Sequence, residues 1–248
     1  MPLDDGSLLE VKDLSVSFDG FQVINDLSFN VGKEEIRVII GPNGAGKTTV
    51  LDLICGRTKA TGGSIRFAGK ELTRLKEYDI VRAGVGRKFQ TPSVYEDLNV
   101  FENLEISYPH GRSVFESLLF RRSAAVIERI HEVAEMIFLQ DQLDRKASEL
   151  SHGQKQWLEI GMLLIQDPAL LMLDEPVAGM TVSERRRTAD LLQSITKSRS
   201  VLVIEHDMGF VEQIAHKVTV LHRGQILSEG SMESVKNDPK VVEVYLGH

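Results

Sequence analysis

The run Gly41-Pro42-Asn43-Gly44-Ala45-Gly46-Lys47-Thr48-Thr49 holds the residue types that phosphate chemistry needs, in a usable order. Its glycines let backbone N–H groups turn inward around phosphate oxygens. A helix that opens within the run adds unpaired donors and partial positive charge. Lys47 brings a full charge to the β- and γ-phosphates, and the Thr48 hydroxyl is placed to ligate Mg²⁺. The run follows a predicted strand, which is the context the Walker A pattern requires. A glycine-rich turn without a ligand is the plainer alternative. Taken alone, the loop fits a kinase, a GTPase, a motor or a transporter alike.

Further along, Leu170-Leu171-Met172-Leu173-Asp174-Glu175-Pro176 is an apolar strand that ends in two carboxylates, a Walker B arrangement. This strand is expected beside the phosphate-loop strand, where Asp174 can hold Mg²⁺ through its water shell. Glu175 then lies near the γ-phosphate and can polarise an attacking water. The alternative is an ordinary solvated strand end. Just upstream, Leu150-Ser151-His152-Gly153-Gln154 places Ser151 at a helix start, where its hydroxyl and neighbouring N–H groups can meet an anion. Ser151 with Gln154 three residues on also reads as a simple N-cap.

These groups need a scaffold. Leu9, Val11, Leu14, Val16 and Phe18 suggest a largely alternating strand, and Val23–Val31 a second, with Asp19-Gly20 as the hairpin turn between them. Glu35–Ile40 is a short apolar strand running into Gly41. Ser64–Phe67 with Ala68-Gly69-Lys70 suggests another hairpin. Ala124–Phe138 has helical periodicity, and residues 92–165 read as a mostly helical lobe. Strand and helix then alternate: Ala169–Leu173, Ser183–Lys197, Ser200–Ile204 and Met208–Ala215, followed by a hairpin around Arg223-Gly224. Such alternation implies a largely parallel sheet covered on both faces.

The segment Leu150–Gln154 resembles the LSGGQ signature of ABC (ATP-binding cassette) ATPases, with His152 in place of the first glycine. That resemblance covers nearly the whole chain and implies roles for further residues. Gln90 matches the family's Q-loop glutamine, which senses the γ-phosphate or Mg²⁺. His206 matches the switch histidine, which hydrogen-bonds the γ-phosphate and helps orient water. Phe18 matches the aromatic that stacks on adenine, with Val23 packing nearby. The implied fold is α/β: a P-loop (RecA-like) core with an antiparallel β-subdomain and an inserted α-helical subdomain. It forms a single domain over 1–248, with 1–91 and 166–248 as β-subdomain plus core and 92–165 as the helical insert. The resemblance also implies that Ser151, Gly153 and Gln154 cap ATP bound by another subunit. The chain has one Walker A loop, so the partners implied are a second ATPase subunit, as a heterodimer in the full transporter, transmembrane permease subunits and, indirectly, a solute-binding protein.

Within the family, Val100-Phe101-Glu102-Asn103-Leu104, Pro176-Val177-Ala178-Gly179-Met180 and the Tyr245-Leu246-Gly247 ending resemble the branched-chain amino acid and urea importer group. Gly86–Val94 and Gly179-Met180-Thr181 resemble its urea branch most, with branched-chain amino acids as the alternative cargo. The chain departs from the family pattern at Thr181, where Asp or Asn is usual. It departs again at Trp157, where Arg is usual, and at Gly161-Met162.

Composition sets the outer limits. Hydrophobic residues make up 42% of the 248 and charged residues 26%, which suits a globular domain that needs no staples. The net charge of −7 offers no basic face for nucleic acid. The basic runs Arg121-Arg122 and Arg185-Arg186-Arg187 read as solvated helix faces. One cysteine, Cys55, excludes an internal disulfide. No apolar stretch reaches membrane-spanning length, so the chain is expected in the cytoplasm, peripheral on the inner face of the membrane. A soluble cassette ATPase of DNA repair or translation is the alternative from another class.

Overall fold

The computed structural model describes residues 6–88, 93–109 and 122–246, in two compact units. One comprises the chain up to Arg87, Ala169–Glu175 and Leu192 onward. The other comprises Lys88–Pro168 and Pro176–Leu191.

The first unit contains an antiparallel sheet of β1 (Ser7–Phe18), β2 (Phe21–Gly32), β4 (Gly62–Phe67) and β5 (Lys70–Glu71), in the order β2-β1-β4-β5. Asp19 and Gly20 both have positive φ (48° and 85°), the type I′ geometry that matches strand twist in a tight hairpin. The second sheet runs β10 (Gln225–Gly230), β9 (Lys217–His222), β3 (Ile36–Ile40), β8 (Ser200–Ile204), β7 (Leu170–Asp174) and β6 (Val85–Lys88). Among its pairings, β9–β3, β3–β8 and β8–β7 are parallel and β10–β9 is antiparallel.

Every residue of β3, β7 and β8 is buried, as a sheet covered on both faces requires. Leu9, Leu14, Ile24 and Leu27 of the antiparallel sheet share a core with Val50, Leu51 and Ile54 of helix α1 (Lys47–Ile54) and with Leu170, Met172 and Leu202. Arg37 interrupts the apolar β3 run yet is fully buried. It donates to Glu35, Thr219 and Glu229, which satisfies its guanidinium.

The strand order corrects one expectation. The Walker B strand β7 does not lie beside the phosphate-loop strand β3; β8 lies between them. Hydrophobicity marks both strands as central but carries no information about which central strand pairs with which. The insertion of β8 sets β7 about 10 Å from β3 and brings the residues after Ile204 beside those after Asp174.

The other helices of this unit are α2 (Glu77–Ala83), α7 (Met208–Ile214), α8 (Met232–Lys236) and α9 (Pro239–Leu246). The second unit contains α3 (Val100–Ser107), α4 (Ala124–Met136), α5 (His152–Leu164) and most of α6 (Val182–Ile195). Helix α4 ends earlier than the periodicity suggests, because Phe138 turns to a φ of 62°. The string Val100–Leu104 has a local purpose. Asn99 and Glu102 close a capping box, and buried Asn103 bonds Tyr95 N–H and the carbonyls of Tyr95, Leu98 and Asn99.

Glu159 of α5 is buried 3.2 Å from the Lys88 ammonium, which is itself fully buried, and it also accepts from Ser93 N–H. Burial pushes the Glu159 carboxyl up, and Lys88 opposes the shift. Lys88→Met is expected to destabilise the fold by about 3–5 kcal/mol, because it strands a buried charge. A carboxyl with a raised folded pKa stabilises most below its unfolded pKa and loses that contribution as pH rises through the folded one. The deficit of Lys88→Met, read from urea midpoints, therefore widens from about pH 5 to about pH 8. An equal deficit at both would show that the charge of Glu159 is not what Lys88 balances.

Candidate functional site

The carboxyl ends of β3, β8 and β7 leave the sheet in the same direction, and the chemistry of the first unit gathers there. After Ile40 the chain enters the loop 41–46. A Cβ on Gly41 would lie 2.2 Å from the Leu221 carbonyl oxygen, so only glycine lets the loop pass β9 this closely. Gly44 has open space around it but a φ of 79°, so glycine there serves backbone conformation. The loop is fastened by Ala45 N–H donating to Pro42 and by Gly224 N–H donating to the Ala45 carbonyl. That second bond comes from the β9–β10 turn, where Arg223 and Gly224 both have positive φ.

Helix α1 starts at Lys47 with Gly46 as N-cap, a residue with no side chain to cap it, so the first-turn N–H donors are left to an anion. The Lys47 ammonium donates to the carbonyls of Gly41 (2.8 Å) and Pro42 (3.1 Å), which folds it back over the loop. Burial lowers its pKa, while Glu175 and Asp174 pull it back up. Both Walker B carboxylates are thus close enough to Lys47 for charge to be felt.

Asp174 ends β7 and is buried, at 3% exposure. Glu175 follows with a φ of 47°, unusual for a residue with a side chain. Its N–H donates to the Ile204 carbonyl, which ties the two strand ends together. His206, two residues past Ile204, then places Nδ1 3.3 Å from Glu175 Oε1. The backbone of this turn is held by a residue outside the recognised motifs. Glu205, buried at 1%, accepts from the N–H groups of His206 and Asp207, and Asp207 caps α7 through Phe210 N–H. A buried acid between an apolar strand and a helix start is the signal that could have marked it.

Phe18 is about half exposed at the β1–β2 tip, as a stacking surface needs. It faces Phe21, still more exposed, across the hairpin. The Val23 carbonyl lies against Gly46, at 3.3 Å from an ideal Cβ, so this strand reaches the phosphate loop. Gln90 lies outside the described residues, as do Arg121 and Gly247.

In the second unit, Ser151 caps α5 and forms a complete capping box with Gln154. Gln154 spends its amide in cis, accepting from Ser151 N–H (2.9 Å) and donating to Gln142 (3.2 Å). His152 Nε2 lies 3.1 Å from the Ala178 carbonyl and packs on Gly179, whose φ is 72°. Trp157 is buried, donates to Thr188 and meets Phe138 edge-on, with the Arg187 guanidinium over both rings. Arg187 therefore does more than solvate a helix face. Its stacking on Phe138 and Trp157 was invisible in the Arg185–Arg187 run.

A family model described as "ABC transporter" matches residues 24–178. The chain belongs to the ABC transporter family. It is an ATPase of that family, and a second model, "Branched-chain amino acid ATP-binding cassette transporter", matches residues 225–248. This ATPase is 35% identical to "High-affinity branched-chain amino acid transport ATP-binding protein LivG" of Escherichia coli (strain K12), over 97% of the chain and 98% of that protein. It is 36% identical to the corresponding BraF protein of Pseudomonas aeruginosa, over 97% and 98%. The crystal structure of the ADP conformation of an ATP-binding cassette of an ABC transporter superposes with a TM-score of 0.86 at 33% identity, covering 98% of this chain and 99% of that one. The fold is the expected cassette: antiparallel sheet, largely parallel core sheet and helical unit. The names of these relatives carry branched-chain amino acids and not urea, whereas the short strings around Gln90 and Thr181 put urea first.

Proposed function

We propose that this ATPase binds ATP at Gly41–Thr49, with adenine on Phe18 beside Val23, and energises a branched-chain amino acid importer. The observation that carries the chemistry is Glu175 set 3.3 Å from His206 at the ends of adjacent strands, with Lys47 close to both Walker B carboxylates. Glu175 takes a proton from the attacking water; His206 and Gln90 orient the water and the γ-phosphate. Thr48 and Asp174, with Gln90, fit Mg²⁺ because the first two offer hard oxygen donors beside the ammonium of Lys47. Held by these residues, Mg²⁺ would neutralise charge that develops on the phosphates.

Among the described residues no helix is long and apolar enough to cross a membrane. We assign the membrane passage to permease partners, with this subunit on their cytoplasmic face. A second cassette, in a heterodimer, presents the signature that closes each site, and Ser151 and Gly153 do the same for the partner's ATP. Ser151→Arg is expected to lower turnover of the assembled transporter by at least about 100-fold, by replacing an anion donor with bulk at the cap. Affinity for ATP in the isolated chain stays unchanged; a large loss there would place the signature in cis. For the cargo, vesicles carrying the assembled transporter and its solute-binding protein should take up leucine with ATP inside. Uptake of urea without leucine would overturn the cargo assignment.

A further inference from the structure

The carboxylate of Glu184 lies where the signature turn should be open to an anion. Its Oε1 accepts from the Ser151 hydroxyl at 3.4 Å. A Cβ built on Gly153 would sit 2.4 Å from the same oxygen, so the carboxylate rests against the first turn of α5 and would have to shift to admit a side chain there. Its other oxygen, Oε2, accepts from Thr181 N–H (2.9 Å) and the Thr181 hydroxyl (2.8 Å). Thr181 in turn accepts from Glu184 N–H (3.3 Å), so Thr181 and Glu184 form the capping box that opens α6. One carboxylate therefore bridges the signature and the 178–181 segment, which His152 also grips through Ala178.

We infer that Glu184 is a positioning residue that competes with the partner's γ-phosphate at Ser151, so that phosphate capture loosens Thr181. This rests on the proposal that Ser151 caps ATP in trans. The hydroxyl of Ser151 has one proton, and Glu184 and a phosphate oxygen both require it. The donors on Glu184 from Thr181, followed by Ser151, hold its carboxyl low, and His152 acts in the same direction. The group is therefore an anion facing an anion. The usual Asp or Asn at position 181 is replaced here by Thr181, whose hydroxyl is already committed to Glu184.

Glu184→Gln separates charge from shape, because glutamine still completes a capping box. In the assembled transporter the apparent KM for MgATP should fall about fourfold, the effect of removing a unit charge roughly 5 Å away in a water-like dielectric. Nucleotide affinity of the isolated chain, read with a fluorescent ATP analogue, should not move. Glu184→Asp should restore the KM toward that of the unmodified protein. An unchanged or raised KM in a folded Glu184→Gln protein overturns the inference. Ser151→Arg, assayed in parallel, tests the underlying reading. If Ser151→Arg is inactive and Glu184→Gln is silent, only the role of Glu184 fails. If Ser151→Arg turns over normally, the trans cap itself fails.

Discussion

Lys47→Ala should abolish ATP binding, and equilibrium titration with a fluorescent nucleotide is the direct check. The Lys47 ammonium is held over the loop by the carbonyls of Gly41 and Pro42, which leaves one of its three donors for a phosphate oxygen. Asp174 and Glu175 both act on it electrostatically. Removing it deletes at least one charge-assisted hydrogen bond to phosphate, worth about 1.5–3 kcal/mol. It also leaves two carboxylates facing a polyanion with no fixed cation between them. Together these effects weaken binding by at least about 100-fold, since each 1.4 kcal/mol is tenfold. The fold should survive, because Lys47 opens α1 and the buried residues of that helix, from Val50 to Ile54, are untouched. Tight binding in a folded Lys47→Ala protein would remove the phosphate role from this loop.

Glu175→Gln should leave ATP binding intact and reduce turnover by about 100- to 10,000-fold, the range for loss of a positioned general base. Glutamine has nearly the shape of glutamate, and the backbone bond from residue 175 to Ile204 does not involve the side chain. The contact with His206 Nδ1 can persist, because an amide also hydrogen-bonds imidazole. Only the capacity to take a proton is lost. Single-turnover phosphate release, measured beside nucleotide binding, separates the two steps. Near-normal release would move the base elsewhere, and His206, 3.3 Å from Glu175, would be the first candidate.

The strained backbone at Glu175 was not foreseeable. A positive φ at a glutamate needs a partner that holds it, and that partner is the Ile204 carbonyl on a strand far away in sequence. The same holds for Glu205, which fixes the backbone under His206.

The cargo assignment shows how little a short string carries. Gly86–Val94 and Gly179–Thr181 pointed to urea, while relatives matched over the whole length, and the tail over 225–248, point to branched-chain amino acids.

What the residues determined by themselves was local: the loop 41–49, because glycine spacing and a following helix are sequential; the β1–β2 and β9–β10 hairpins, because their turns need only adjacent residues; and the capping boxes at Ser151 and Asn99. What only the tertiary structure decided was pairing across distance. It inserted β8 between the two Walker strands, and so brought His206 to Glu175. It buried Lys88 against Glu159 and stacked Arg187 on Trp157. It set the Glu184 carboxylate against Ser151, so that the hydroxyl at this helix start already has an anionic partner. Hydrophobic periodicity says that a strand or helix face is buried, but the same pattern suits any buried neighbour. Which neighbour it meets is chosen by packing and hydrogen bonding summed over the whole core.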